Sequence, residues 1–108
     1  MAMNKVIKEI NNSDLIYKLG YNLWKNKVWP RFEIYKNKEL LFGGYWGSGT
    51  SAGLFNFFAV NSDSYINSHI GTMKGMFNWL RKYNEVPEEV EREFENIFIM
   101  YKLNDFNE

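Results

Sequence analysis

Segment 41–60, LFGGYWGSGTSAGLFNFFAV, constrains the fold more than any other part of this chain. Gly43, Gly44, Gly47, Gly49 and Gly53 punctuate two aromatic-rich apolar runs. Glycine at such positions permits tight bends and lets other groups approach the backbone closely. Tyr45 and Trp46 beside these glycines offer flat, adhesive surface. The pattern predicts a strand over 40–46, a loop over 47–53 and a second strand over 54–60.

Upstream, Val28, Phe32 and Ile34 alternate with Trp29, Arg31, Glu33 and Tyr35. This period of two predicts a half-buried strand that places the latter four on one face. Pro30 is expected to put it at a sheet edge or at its own start. Asn37-Lys38 can turn it, because Asn tolerates positive φ.

The flanks predict helices. Val6, Ile7 and Ile10 fit a short helix over 3–11. Ser13 would cap a second helix running to about Asn26, with Leu15, Ile16, Leu19 and Leu23 at helical spacing. Asn61-Ser62-Asp63-Ser64 would cap a longer one, whose stripe is Ile66, Ile70, Met73, Phe77 and Leu80. Gly71 and Gly75, four apart on a neighbouring face, point to close packing there. Asn84–Pro87 breaks that helix. Pro87 at the first helical position, followed by Glu88, Glu89 and Glu91, opens a last helix with Val90, Phe94, Ile97 and Tyr101 on its buried side. The expected fold is α+β: a three-stranded antiparallel meander with one or two N-terminal helices and two C-terminal helices packed on one face.

The 108 residues fit one domain spanning 1–108, with 1–3 and 104–108 expected to fray. A domain of this size buries roughly two-thirds of its unfolded surface, enough for a core without staples. Four Trp, seven Tyr and nine Phe are more rings than a core this small needs, so some are expected at the surface as binding anchors. The absence of Cys removes disulfides, thiolate nucleophiles and Cys-based zinc sites. The start, MAMNKVIKEI, lacks the apolar core of a signal peptide, and the longest apolar run, 97–101, is far too short to span a bilayer. A cytoplasmic protein without membrane contact is expected.

Net charge is zero, but residues 1–38 hold eight Lys and Arg against three acids, while 85–108 hold two against eight. The two ends can neutralise each other across the fold, or pair between subunits in a homo-oligomer.

Gly49-Thr50-Ser51-Ala52-Gly53 matches the G-x-S-x-G nucleophile elbow. That elbow requires a helix after the serine and a scaffold about twice this length. The following segment reads as strand, so the match is taken as coincidental. The loop lacks the ending of a phosphate-binding P-loop and the spacing of a dinucleotide fingerprint. Its hydroxyls, Ser48, Thr50 and Ser51, can still hold a polar ligand while Tyr45 or Trp46 stacks on a ring. His69, alone and without a carboxylate at helical spacing, reads as a partly buried, hydrogen-bonded residue and not as a metal ligand. Lysines interleaved with Trp24, Trp29 and Tyr35 resemble a nucleic-acid surface, yet three Arg and zero net charge disfavour a phosphate-dominated site.

The resulting expectation is a non-catalytic binding protein that needs no cofactor or metal. It is expected to engage a protein partner through Tyr45, Trp46, Ser48, Thr50, Ser51, Trp29, Arg31 and Tyr35. A small inhibitor of phage or mobile-element type, directed at a host defence system, or an immunity protein, fits this profile. The alternative is sequestration of a nucleotide-like small molecule by the same loop, possibly between subunits; nucleic acid ranks below both.

Overall fold

Leu15, Tyr17, Leu19, Tyr21 and Leu23 alternate with Ile16, Lys18, Gly20 and Asn22, and this segment is a strand, not a helix. In a computed structural model, residues 5–24, 27–47, 55–61, 64–82 and 84–101 are described. They form β1 (Lys5–Asn12), β2 (Leu15–Trp24), β3 (Lys27–Lys36), β4 (Glu39–Trp46), β5 (Phe55–Asn61) and β6 (Ser64–Ile70), then helices α1 (Met73–Leu80) and α2 (Glu88–Tyr101). The six strands make one antiparallel sheet in sequence order. The expected three-stranded meander with N-terminal helices is therefore corrected: the sheet has twice the strands, and both helices follow it.

The misread segments share one cause. Leu15, Leu19 and Leu23 lie four residues apart, and so do positions 66 and 70. A step of four returns to the same face of a helix and, being even, to the same face of a strand. Ser13 does not cap a helix. With φ of 56° it forms, with Asp14, the two-residue turn between β1 and β2, where Asn12 pairs with Leu15. The helix expected from residue 64 starts only at Met73, where the Thr72 hydroxyl accepts a hydrogen bond from the Gly75 amide at 3.1 Å. Gly75 makes the expected close approach, since a Cβ there would lie 2.7 Å from Ile70 Cδ1.

The expected central strands and their turn hold. Strands occupy the three segments read as such, and Asn37 and Lys38, with φ of 52° and 68°, turn β3 into β4. The segment 48–54, including most of the expected loop, lies outside the described residues. Pro30 sits in a central strand instead of an edge. It remains compatible because the β3–β4 ladder ends at Arg31 opposite Tyr45, so Pro30 lies one residue past it.

Both helices cover the sheet face bearing Tyr17, Leu19, Phe32, Ile34, Phe42 and Phe57, all buried. Phe32 stacks on Phe77 of α1 at 5.0 Å and meets Phe94 of α2 edge-on at 4.9 Å. Gly44 makes room for α1: a Cβ there would lie 2.7 Å from Met76 Sδ. The helix-to-helix connection is held by Tyr17, whose hydroxyl donates to the Glu85 carbonyl at 3.1 Å, and by Arg81, which donates to the Val86 carbonyl and pairs with Glu91 at 2.8 Å. Acidic α2 lies across β1, β2 and β3, with Lys8 reaching Glu93 at 3.9 Å. The charge asymmetry of the sequence is thus partly met inside one chain. Among the described residues, no helix is long and apolar enough to cross a membrane.

Candidate functional site

Strand alternation that sends Phe32 and Ile34 under the helices sends their neighbours to the opposite face, which no described element covers. Register then assembles a surface from distant parts of the chain. Arg31 stands opposite Tyr45, Tyr45 opposite Asn56, and Asn56 opposite His69. In the adjoining row Lys18 stands opposite Glu33, Glu33 opposite Gly43, Gly43 opposite Phe58, and Phe58 opposite Asn67. Trp29 and Tyr35 extend the same face along β3.

A charged and aromatic cluster forms its centre. Glu33, with a side chain 2% exposed, accepts a hydrogen bond from Arg31 Nε at 2.8 Å and another from the Tyr35 hydroxyl at 2.9 Å. A buried carboxylate needs such donors, because desolvation without them is prohibitive. The Arg31 guanidinium lies 5.4 Å from the Tyr45 ring centroid and 5.5 Å from that of Phe58. The Lys18 ammonium sits 5.0 Å from the Tyr35 ring. These are cation–π distances. Burial, then the hydrogen bond to Glu33 and its negative charge, push the Tyr35 hydroxyl above its ordinary pKa, with Arg31 opposing. Gly43 is required here: a Cβ would come within 2.4 Å of the Phe32 carbonyl oxygen and 3.0 Å of Phe58 Cζ. Its bare backbone lets the Phe58 ring lie against the sheet.

Beside this cluster, Tyr45, Asn56, Phe57, Phe58, Asn67, Ser68 and His69 line a cleft of about 270 Å³. Asn56 is its central polar side chain. Its Nδ2 is buried and has no hydrogen-bond partner among the described residues. Asn67 and His69 are exposed at the cleft's outer strand, β6. The expectation of a partly buried His69 on a helix is thus corrected to an exposed residue on an edge strand. Among the described residues, no three His, Asp or Glu side chains gather as a metal site.

Of the residues named from sequence, the structure brings Trp29, Arg31, Tyr35 and Tyr45 onto one face. Trp46 goes to the other, where it meets Phe55 at 4.7 Å and Phe98 at 5.2 Å. Ser48, Thr50 and Ser51 lie outside the described residues. Glu33 was legible as a member of the β3 face but not as its anchor. Asn56, Phe58 and Asn67 carried no local signal, and only cross-strand register reveals them.

Compared with known proteins, the chain matches no family model, no curated protein and no solved structure.

Proposed function

We propose that this chain is a non-catalytic binding protein that engages a protein partner through the helix-free face of its sheet, as a small inhibitor or immunity factor would. The observation that carries this is the convergence of Trp29, Arg31, Tyr35 and Tyr45 beside the Glu33 anchor. Trp, Tyr and Arg are the side chains enriched at the energetic centres of protein interfaces. Here several are already held by hydrogen bonds and ring contacts, so little rotamer freedom remains to be lost on association. Among the described residues, charge on the face is nearly balanced, with Lys18, Lys27 and Arg31 set against Glu9 and Glu33. That favours a protein partner over a polyanion.

The test is affinity capture from cells that naturally contain the chain, comparing the unmodified protein with Trp29→Ala and Tyr45→Ala. Ile99→Ser, on exposed α2 surface, serves as the control, and melting curves check that each variant folds. One protein retained in stoichiometric amount by the unmodified chain and the control, and lost by both face variants, is expected. Equal capture by folded face variants overturns the site. Retention of nucleic acid, with affinity falling steeply as salt rises, overturns the partner class.

A further inference from the structure

The two edges of the sheet differ in how they are guarded. We infer that the β6 edge pairs with the β6 edge of a second copy, joining two sheets into one across a twofold axis. Strand order makes β1 and β6 the outermost strands, and among the described residues no strand pairs with the outer side of either. In an antiparallel ladder every second residue of an edge strand aims its backbone N–H and C=O away from its neighbour. Such an edge is a template for another strand unless charges, proline or a bulge guard it. β1 is guarded: Lys5, Lys8 and Glu9 lie along it, and its register with β2 shifts between Val6 and Lys8. β6 is not. Its seven residues, SYINSHI, include no Lys, Arg, Asp, Glu or Pro, and its pairing with β5 runs unbroken from Ser64 to Ile70. Tyr and two Ile in so short a run also favour the extended state.

Charge and symmetry choose the occupant. Antiparallel self-pairing of β6 in full overlap sets Asn67 on the twofold axis, opposite its own counterpart, and brings no like charges together. Asn67, Ser68, His69 and Ile70 are exposed, so an incoming strand has no buried side chain to displace there. Pairing of β6 with the β1 edge of another copy would instead be head-to-tail and would grow into an open ribbon. The lysines and register shift of β1 oppose that route, which leaves the closed twofold contact. Seven paired residues make a contact at the small end of specific interfaces, below about 1,200 Å² in total, so the dimer is reversible with Kd in the micromolar range. The twofold axis of such a pairing stands normal to the sheet. Both helix layers then lie on one side and both helix-free faces on the other, so the dimer presents the proposed binding face twice.

The test is sedimentation equilibrium of the full chain over about 5 to 500 μM. The average mass is expected to rise from that of one chain and to level off at that of two. Asn67→Lys sets like charges face to face on the axis and should raise the dimer Kd at least about tenfold; Asn67→Glu should do the same. An equimolar mixture of these two variants opposes unlike charges and should dimerise again. Ile7→Lys, at an exposed position on the β1 edge, is the control and should leave the dimer unchanged. Melting curves of dilute samples check that every variant folds. A single-chain mass at all concentrations overturns the proposal, and growth past two chains overturns the closed contact. Full dimerisation by both folded Asn67 variants overturns the β6 edge, as does loss of the dimer in Ile7→Lys. A mixture that stays monomeric overturns the register centred on Asn67. Because Asn67→Lys leaves Trp29, Arg31, Tyr35 and Tyr45 intact, protein capture by this variant tests the previous proposal separately.

Discussion

Replacing Arg31 by Met strands the Glu33 carboxylate. In the native protein this carboxylate is 2% exposed and has two donors, Arg31 Nε at 2.8 Å and the Tyr35 hydroxyl at 2.9 Å. Without the guanidinium, one neutral donor remains for a buried charge. Breaking a buried ion pair from one side costs about 3–5 kcal/mol. Tyr35 still donates and the Arg31 side chain is 13% exposed, so about 3 kcal/mol is the appropriate value. Unfolding entropy is about 2.1 cal/mol/K per residue, so a chain this long loses about 4 °C of Tm per kcal/mol, or about 13 °C here. Glu33→Leu is milder, about 1–2 kcal/mol, because Arg31 keeps partial solvent access and its two ring contacts. The double variant Arg31→Met/Glu33→Leu removes both charges and should fall within about 1 kcal/mol of the native protein. The assay is urea unfolding followed by tryptophan fluorescence on all four proteins, accepted only where the m-values agree. The expected coupling is about 3–5 kcal/mol. A double variant as unstable as Arg31→Met, or a coupling below about 0.5 kcal/mol, refutes the assignment of Glu33 as the buried anchor of this face.

Three further outcomes follow from the same geometry. Gly43→Ala should destabilise by about 3 kcal/mol or more, because its Cβ would strike a backbone oxygen; Gly44→Ala should cost about 1–2, because Met76 can move. A reversed order in urea titrations defeats the close-approach reading. Tyr17 and Tyr35 are both held above their ordinary pKa, chiefly by burial. Above about pH 10 the unfolded chain has released these protons while the folded chain keeps them. Stability is therefore complete below that pH and falls as pH rises through the folded values. Tyr17→Phe and Tyr35→Phe should each flatten part of the alkaline loss, and an unchanged slope in both counts against it. Trp46→Ala should cost about 2–3 kcal/mol through its contacts with Phe55 and Phe98 yet spare partner capture, whereas Tyr45→Ala should do the reverse. Loss of capture by a folded Trp46→Ala returns Trp46 to the binding surface.

Some of this architecture is written locally in the chain. The alternation through 28–35 places Trp29, Arg31, Glu33 and Tyr35 together, because strand geometry alone puts every second residue on one face. Asn37-Lys38 announces its turn, and Pro87 with three early glutamates announces α2. Local pattern cannot separate strand from helix where apolar residues recur every four positions, as in Leu15, Leu19 and Leu23. There the outcome rests on what neighbouring segments offer: β2 gains hydrogen bonds from both β1 and β3, and a helix at that place would forfeit them. Nor can a one-dimensional pattern say which of Tyr45 and Trp46 faces the helices, since adjacent strand residues always part company. The candidate site is decided at the same level. Arg31, Tyr45, Asn56 and His69 are scattered over four strands, and Glu33 becomes an anchor only when Arg31 and Tyr35 close over it. Their meeting depends on cross-strand register, which is set by the burial of Phe32, Phe42 and Phe57 beneath α1 and α2, because a one-residue slip would turn those rings out to water.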